Sequence, residues 1–361
     1  MTKIGICFGG YCPMHQGHLD LIMQAKKEND VCLVVVCGYN GEKRAEDIGL
    51  PLRRRYTLVK KLFKNDEQIK VIQINDTEIG IDESMSNTNW RIWTDAIRKE
   101  LETFNLYSNE NQYTFYVAEW IYKQALLKNC IFSCDVIYNE KVNEVSGTLI
   151  RNNPLKYWNK IAKTYQPYFS TNILITGTAS EGKTTLTKDI ATYFGIPYSE
   201  EYGRTYMEEN AKNDTDLTVN DFIEFLIEQR RDTKNKIESA ANTGIVISDT
   251  DNLVTLMYAK AYTEDPAIDI TEDDYNNILL PLAKTLQRGI SWDKIFLLPP
   301  KNTFVDDGSR YMKQSTMEER TANFNKLVTL LKEFGWYDKV EILNGTYLEN
   351  FNKVKNFITS K

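Results

Sequence analysis

Lys3-Ile4-Gly5-Ile6-Cys7-Phe8-Gly9-Gly10-Tyr11-Cys12-Pro13-Met14-His15-Gln16-Gly17-His18 is the stretch whose reading decides the fold of the first half of the chain. An apolar run of strand length leads directly into two glycines, a proline and a His-x-Gly-His spacing that enters a helix. The chain has only two histidines, and both lie here. Two imidazoles at the mouth of a helix can hydrogen-bond an α-phosphate while charge builds on its oxygens. The helix N-terminus behind them adds free backbone N–H groups and the positive end of a dipole. This is the arrangement a nucleotidylyl-transfer site requires. His15 and His18 are its expected catalytic residues, and Gly9, Gly10 and Tyr11 its expected ATP-binding neighbours.

Outward from this segment, strands alternate with amphipathic helices. Strands are expected at 4–8, 31–37, 69–74, 114–117 and 132–138, and helices at 17–28, 52–64, 90–103 and 119–127. That alternation means βαβ units and a parallel sheet. The pattern restarts with a strand at 172–176, a glycine-rich turn and a helix beginning near Lys183. Further strands are expected at 244–248, 294–298 and 339–343. Residues 152–170 carry Pro154 and Pro167 and no clean strand pattern, so the linker is expected there. The expected architecture is two parallel-sheet α/β domains: a Rossmann-like nucleotidylyltransferase over 1–160 and a P-loop kinase over 171–361.

Bulk properties narrow the function classes. The 361 residues carry a net charge of −6, and no basic stripe stands out, which argues against nucleic-acid binding. The six cysteines include no Cys-x-x-Cys, and half lie in apolar strand-like runs, as expected of reduced thiols in a cytoplasmic protein. The longest apolar run, 31–37, is too short to span a bilayer, and no signal peptide is expected before the first strand. A soluble cytoplasmic protein is the expectation.

The second phosphate motif is Gly177-Thr178-Ala179-Ser180-Glu181-Gly182-Lys183-Thr184, a G-x-x-x-x-G-K-[ST] between strand and helix. Its glycines let backbone N–H groups wrap the β- and γ-phosphates, Lys183 adds a point charge, and the Thr184 hydroxyl ligates Mg²⁺. Gly177, Ser180, Glu181, Gly182, Lys183, Thr184 and Thr185 are the expected ATP-binding residues. Ile245-Val246-Ile247-Ser248-Asp249-Thr250-Asp251 is an apolar strand ending in two carboxylates, the form of a Walker B site. Asp249 and Asp251 are both expected catalytic residues, one holding the metal directly or through water, with Asp249 the candidate ligand, and the other orienting or deprotonating an attacking hydroxyl; which is base and which is ligand stays open. The alternative is that one of them simply caps the helix starting near Asn252. Arg310, in Asp306-Asp307-Gly308-Ser309-Arg310, is the expected lid arginine over the transferring phosphate. Near the end of the first half, Ser146-Gly147-Thr148-Leu149-Ile150-Arg151 provides two hydroxyls and an arginine to take the charge of departing pyrophosphate.

The segments GGYCPMHQGH and VSGTLIR resemble the cytidylyltransferase-like nucleotidylyltransferases. The order of the two sites is similar to the NadR-type proteins, which join a nicotinamide mononucleotide adenylyltransferase to a ribosylnicotinamide kinase. The spacing from Gly10 to Pro13 is one residue shorter than in the commoner bacterial form and resembles the NadR version. VSGTLIRNNPLKYW, SEEYGRTY, SDTDNLVTL and FVDDGSR are also similar to that family, in its order, so the resemblance covers 4–347. It implies phosphorylation of nicotinamide riboside and then adenylylation of nicotinamide mononucleotide to NAD, each with ATP and Mg²⁺. By the same resemblance Trp90 and Trp93 stack on nicotinamide in the first site, the alternative being one buried helix face. Glu201, Tyr202 and Arg204 would line the riboside site together with Asp251. Glu200 stands where the family often has an aromatic residue, so Tyr198, Tyr202 and Tyr206 are candidates to supply a ring. Arg53, Arg54 and Arg55 are candidate phosphate contacts or ordinary surface arginines. Repressor activity is not implied, because the first strand begins at Lys3. Coupling to a riboside transporter and homo-oligomerisation remain open. So do two rival readings: a fused phosphopantetheine adenylyltransferase and dephospho-coenzyme-A kinase, and a nucleotide-sensing regulator with little turnover.

Overall fold

The computed structural model describes residues 1–81, 86–140, 145–289, 291–304 and 315–361. The chain divides into two compact units, Met1–Phe169 and Ser170–Lys361. The first contains β1 (Lys3–Gly9), α1 (Gln16–Glu28), β2 (Val31–Gly38), α2 (Lys43–Glu46), α3 (Leu52–Leu62), β3 (Ile69–Asn75), α4 (Asn87–Thr103), β4 (Gln112–Val117), α5 (Trp120–Asn129), β5 (Asp135–Tyr138) and α6 (Gly147–Asn152). Its strands pair in parallel in the order β3-β2-β1-β4-β5. The chain therefore builds outward from β1 in one direction, returns, and builds outward in the other. The crevice at the carboxyl ends of β1 and β4 is the switch point where such sheets bind ligands.

Strand β2 shows why a continuous apolar run was a strand and not a helix. Cys32, Val34 and Val36 join a cluster on one face of the sheet with Ile22, Val59 and Tyr165. Leu33 and Val35 join the opposite cluster with Ile97, Leu101 and Phe115. Period-two alternation into two cores is the signature of a parallel sheet covered on both faces. Expected strand 132–138 is shorter than read. Phe132 is a core residue, but pairing with β4 begins only at Asp135.

The stretch read as a linker folds differently. Short 3-10 turns at Trp158–Lys160 and Gln166–Phe169 pack Trp158, Ile161, Ala162, Tyr165 and Phe169 into the first unit's core. Its aromatic content is the reason. Several large rings gain far more from burial than a polar linker could, at roughly 1.5–3 kcal/mol for each large apolar side chain.

The second unit contains β6 (Thr171–Gly177), α7 (Lys183–Phe194), β7 (Tyr198–Ser199), α8 (Tyr202–Glu209), α9 (Val219–Glu238), β8 (Ile245–Asp249), α10 (Asn252–Tyr262), α11 (Leu280–Gln287), β9 (Lys294–Leu298), α12 (Met317–Glu333), β10 (Val340–Ile342) and α13 (Tyr347–Thr359). The parallel order is β10-β9-β6-β8-β7, with β6 central. The two-residue β7 was not anticipated, being too short to carry a periodic signal. All six cysteines are free; Cys7, Cys12 and Cys32 are buried and the other three half-buried. Among the described residues no helix is long and apolar enough to cross a membrane.

Candidate active sites

In the first unit, a cavity of about 740 Å³ opens over the carboxyl end of the sheet, lined by Gly9, Gly10, Tyr11, His15, His18, Ser146, Thr148 and Arg151. His15 is the N-cap of α1 and is buried, with extended backbone. Its N–H donates to His18 Nδ1 at 3.3 Å, and the two rings stack at 3.8 Å between centroids. An Nδ1 that accepts is unprotonated, so the neutral His18 ring carries its proton on Nε2. The edge of Tyr11 meets the same ring at 5.0 Å. Behind the histidines, the supposed linker holds the loop: Ala162 N–H donates to Met14 O at 3.0 Å, and His15 bridges Ile161.

Arg151 joins the two motifs. Its guanidinium donates to Cys12 O at 2.5 Å and to the Thr148 hydroxyl at 3.0 Å. Ser146 caps α6, accepting from Leu149 N–H at 3.3 Å. This approach depends on glycine: a Cβ on Gly147 would stand 2.8 Å from Cys12 O.

Beneath the Gly9-Gly10 turn lies a charge network that the sequence did not announce. Arg55 is fully buried, pairs with buried Glu42 and donates to the carbonyls of Gly10 and Cys37. Glu42 also holds Arg44, which reaches the cavity wall. Arg55 is therefore neither a surface arginine nor a free phosphate contact. Its Nη atoms are directed to Glu42 and to the Gly10 and Cys37 carbonyls. Arg54 bonds the Tyr168 hydroxyl at 3.0 Å, and Arg53 is exposed. Asp76 nearby is pushed up to about 6 by burial and then by the Glu42 charge, partly offset by Arg55.

Trp90 and Trp93 do not line the cavity. Both are buried in the aromatic core around Phe8, with ring centroids 6.2 and 4.8 Å from it. The single buried helix face was the correct alternative, because two large rings one turn apart on α4 bury more against Phe8 than over an open crevice.

In the second unit, the phosphate loop runs from Gly177 at φ +148 to Gly182 at φ +80, the N-cap of α7. A Cβ on Gly177 would lie 2.4 Å from Leu298 O. Lys183 Nζ donates to Thr178 O at 2.8 Å, and the Thr184 hydroxyl donates to Asp249 Oδ2 at 2.5 Å. Ser180 sits in the loop at φ +62, and Thr185 is exposed on the first turn of α7. The Glu181 side chain turns inward and away from the loop's mouth. It pairs with buried Arg320 and accepts from the backbone of Lys301 and Asn302. Arg320 also donates to Ala179 O at 2.9 Å, so this pair props the loop from below. No sequence signal could link residues so far apart.

Three successive residues at the end of β8 go three ways. Asp249 faces Thr184. Burial, reinforced by the Glu201 charge, pushes its carboxyl up to about 6, against Lys183, Thr184 and Arg204. Thr250 stands at φ +65, a left-handed backbone that costs a non-glycine residue roughly 1–2 kcal/mol. Asp251 caps α10, accepting from Leu253 N–H at 3.1 Å, and lines a separate small cavity beside Trp292. The two carboxylates thus do not act side by side, and the helix-cap alternative describes Asp251. The free N–H groups of α10 draw Asp251 into the cap, where burial raises its carboxyl to about 7.

A third cavity, about 70 Å³, is bounded by Glu201, Arg204, Asp214 and Thr250, with Phe222, Phe225, Tyr258, Tyr262 and Phe304 as aromatic walls. Glu201 and Arg204 pair at 3.8 Å. Tyr202 does not line this cavity: its N–H donates to Gln229 at 2.8 Å and its hydroxyl to Glu224 at 3.0 Å. Tyr198 and Tyr206 likewise bond Glu200 and Asp221. The rings come instead from α9, from α10 and from Phe304 after β9, which no spacing near Glu200 could reveal. Arg310 lies outside the described residues. No group of three or more His, Cys, Asp or Glu side chains among those residues forms a metal cage.

Comparison with known proteins follows this division. A cytidylyltransferase-like family profile matches 6–153, and an AAA domain profile matches 172–349. The chain is 26% identical to the trifunctional NAD biosynthesis/regulator protein NadR of Salmonella typhimurium, over 92% of this chain and 77% of that protein. The Escherichia coli protein of the same name is also 26% identical, over 91% and 76%. A crystal structure of NadR with NAD and AMP-PNP superposes with a TM-score of 0.85 at 31% identity, covering all of this chain and 96% of that one. A NadR structure with NR gives 0.85 at 32%, over 99% and 95%. With both units matched in order and along their full length, the chain belongs to the NadR family.

Proposed function

We propose that this chain makes NAD from nicotinamide riboside in two ATP-dependent steps. It is a bifunctional salvage enzyme: the second unit phosphorylates the riboside to nicotinamide mononucleotide, and the first adenylylates that product to NAD with release of pyrophosphate. The observation that carries the reading is one chain with two phosphate sites, joined by Arg151–Cys12 in one unit and Thr184–Asp249 in the other. The match to NadR structures holding NAD, AMP-PNP and NR supports it.

In the kinase step the riboside 5′-hydroxyl oxygen bonds to the γ-phosphorus as the bond to the β,γ-bridging oxygen breaks; ADP leaves and the hydroxyl proton passes to solvent. Lys183 and the loop's backbone N–H groups stabilise charge on the phosphates. Glu201 and Arg204 hold the riboside, and the aromatic walls receive a cationic pyridinium by cation–π attraction. Magnesium fits here: the Thr184 hydroxyl and Asp249 would hold it, and Asp249 Oδ1 is buried with no hydrogen-bond partner. Bound there, it would neutralise phosphate charge as the phosphoryl group transfers.

In the adenylyl step a phosphate oxygen of the mononucleotide attacks the α-phosphorus of ATP and pyrophosphate leaves. His15 and His18 stabilise the α-phosphate oxygens, with the Nε2–H of His18 as donor, and Arg151 takes the pyrophosphate charge. Purified protein given magnesium, ATP and nicotinamide riboside is expected to accumulate mononucleotide and then NAD. Consumption of phosphopantetheine instead, or ATP hydrolysis indifferent to riboside, overturns the reading.

A further inference from the structure

We infer that Thr250 is a substrate-positioning residue of the kinase, its hydroxyl a direct contact for the bound nucleoside; this rests on the two-step reading above. Its backbone is held at φ +65 from both sides. The N–H donates to Ile175 O at 2.9 Å, and the carbonyl accepts from the buried Ser248 hydroxyl at 2.9 Å. For a β-branched residue this conformation is a genuine outlier, whereas glycine adopts it freely.

The turn itself has a clear purpose. In extended chain Asp249 and Asp251 would project to the same side of the sheet. A left-handed residue between them breaks the alternation, so that Asp249 meets Thr184 while Asp251 reaches the cap of α10. Glycine would meet that backbone demand without strain. The threonine side chain is therefore not explained by the turn.

What it does have is a place on the wall of the riboside cavity, beside Glu201, Arg204 and Tyr258. Thr250 is buried, at 2% exposure, on the wall that this cavity shares with the end of β8. A strained, hydroxyl-bearing residue on the wall of a cavity, where glycine would meet the backbone demand, is the arrangement of a ligand contact. It also sits one residue from Asp249, so a hydroxyl bonded to it is set against the phosphate end of the site. Misplacement there is costly, because near-attack geometry tolerates little displacement.

The test uses the full chain with Thr250→Gly, Thr250→Val and Thr250→Ser. Adenylyl transfer to supplied mononucleotide serves as the internal control for folding. Thr250→Gly is expected to keep Tm within about 3 °C, since strain relief offsets the added chain freedom. Its kcat/KM for riboside falls at least about tenfold, while KM for ATP stays within about twofold. Thr250→Val keeps the shape but not the hydroxyl and falls equally, and Thr250→Ser recovers to within about threefold of wild type. Full kinase activity in Thr250→Gly or Thr250→Val overturns the inference, leaving the two-step reading intact. Wild-type protein that does not phosphorylate riboside overturns that reading and this inference with it.

Discussion

Arg151 donates to the carbonyl oxygen of Cys12 at 2.5 Å, across 139 residues of sequence. That bond brings the Ser-Gly-Thr segment over the His-x-Gly-His loop and turns two separate motifs into one cavity. Arg151→Lys removes the forked donor that reaches both Cys12 and Thr148. Adenylyl transfer is expected to fall by about 10²–10³ with the kinase step unchanged, measured as NAD formed from supplied mononucleotide.

Gly147→Ala tests the same closeness sterically. Its new methyl group would meet Cys12 O at 2.8 Å and the Arg151 guanidinium at 3.1 Å, and the Cys12 backbone has little room to yield. We expect adenylyl transfer to drop at least about tenfold, while riboside phosphorylation by the same preparation is retained. Equal rates in both assays would mean that α6 can shift without cost.

The two aspartates after β8 should separate cleanly. Asp249→Asn is expected to lower riboside phosphorylation by at least about 10², whereas Asp251→Asn retains it, since asparagine also caps helices. Comparable losses in the two variants would restore the paired-carboxylate reading.

Asp251 also sets a pH dependence of stability. Its folded-state carboxyl is raised to about 7 by burial, above the ordinary carboxylate value near 4. From about pH 4 to pH 7 the folded state binds the extra proton, so its stability falls as pH rises, by at most roughly 1.4 kcal/mol per pH unit. Above pH 7 the penalty is constant. Asp251→Asn should flatten that slope in thermal unfolding and raise Tm at pH 8. A wild-type slope that persists in the variant would place the titration elsewhere.

Glu181 faces Arg320 in the interior, not the nucleotide. Glu181→Ala leaves a buried guanidinium uncompensated and should destabilise the second unit by about 3–5 kcal/mol in denaturant unfolding. Joint replacement of Glu181 and Arg320 by apolar residues of similar size should recover much of it. If Glu181→Ala changes only KM for ATP, the side chain belongs to the nucleotide site after all.

Much of this protein was legible in its sequence because the signals are local. A strand followed by Gly-Gly, Pro and His-x-Gly-His, or by Gly-x-x-x-x-Gly-Lys-Thr, must turn where backbone N–H groups become free. The run of β2 could be read as a strand buried on both faces. His15, His18, Lys183 and Thr184 could be singled out as candidates from spacing alone. What only the tertiary structure decided rests on contacts between distant segments or on competition for one group. Trp90 and Trp93 went to the core because Phe8 gave them more surface to cover. The stretch at 158–169 became part of the first core, and Asp251 went to the nearer helix end. Arg55 and Arg320 were drawn inward by Glu42 and Glu181, and the aromatic walls of the cavity beside Glu201 came from α9, α10 and Phe304. Local chemistry determines where phosphate can bind; which side chains surround it is decided by the packing of the whole unit, because each buried surface and each donor can be used only once.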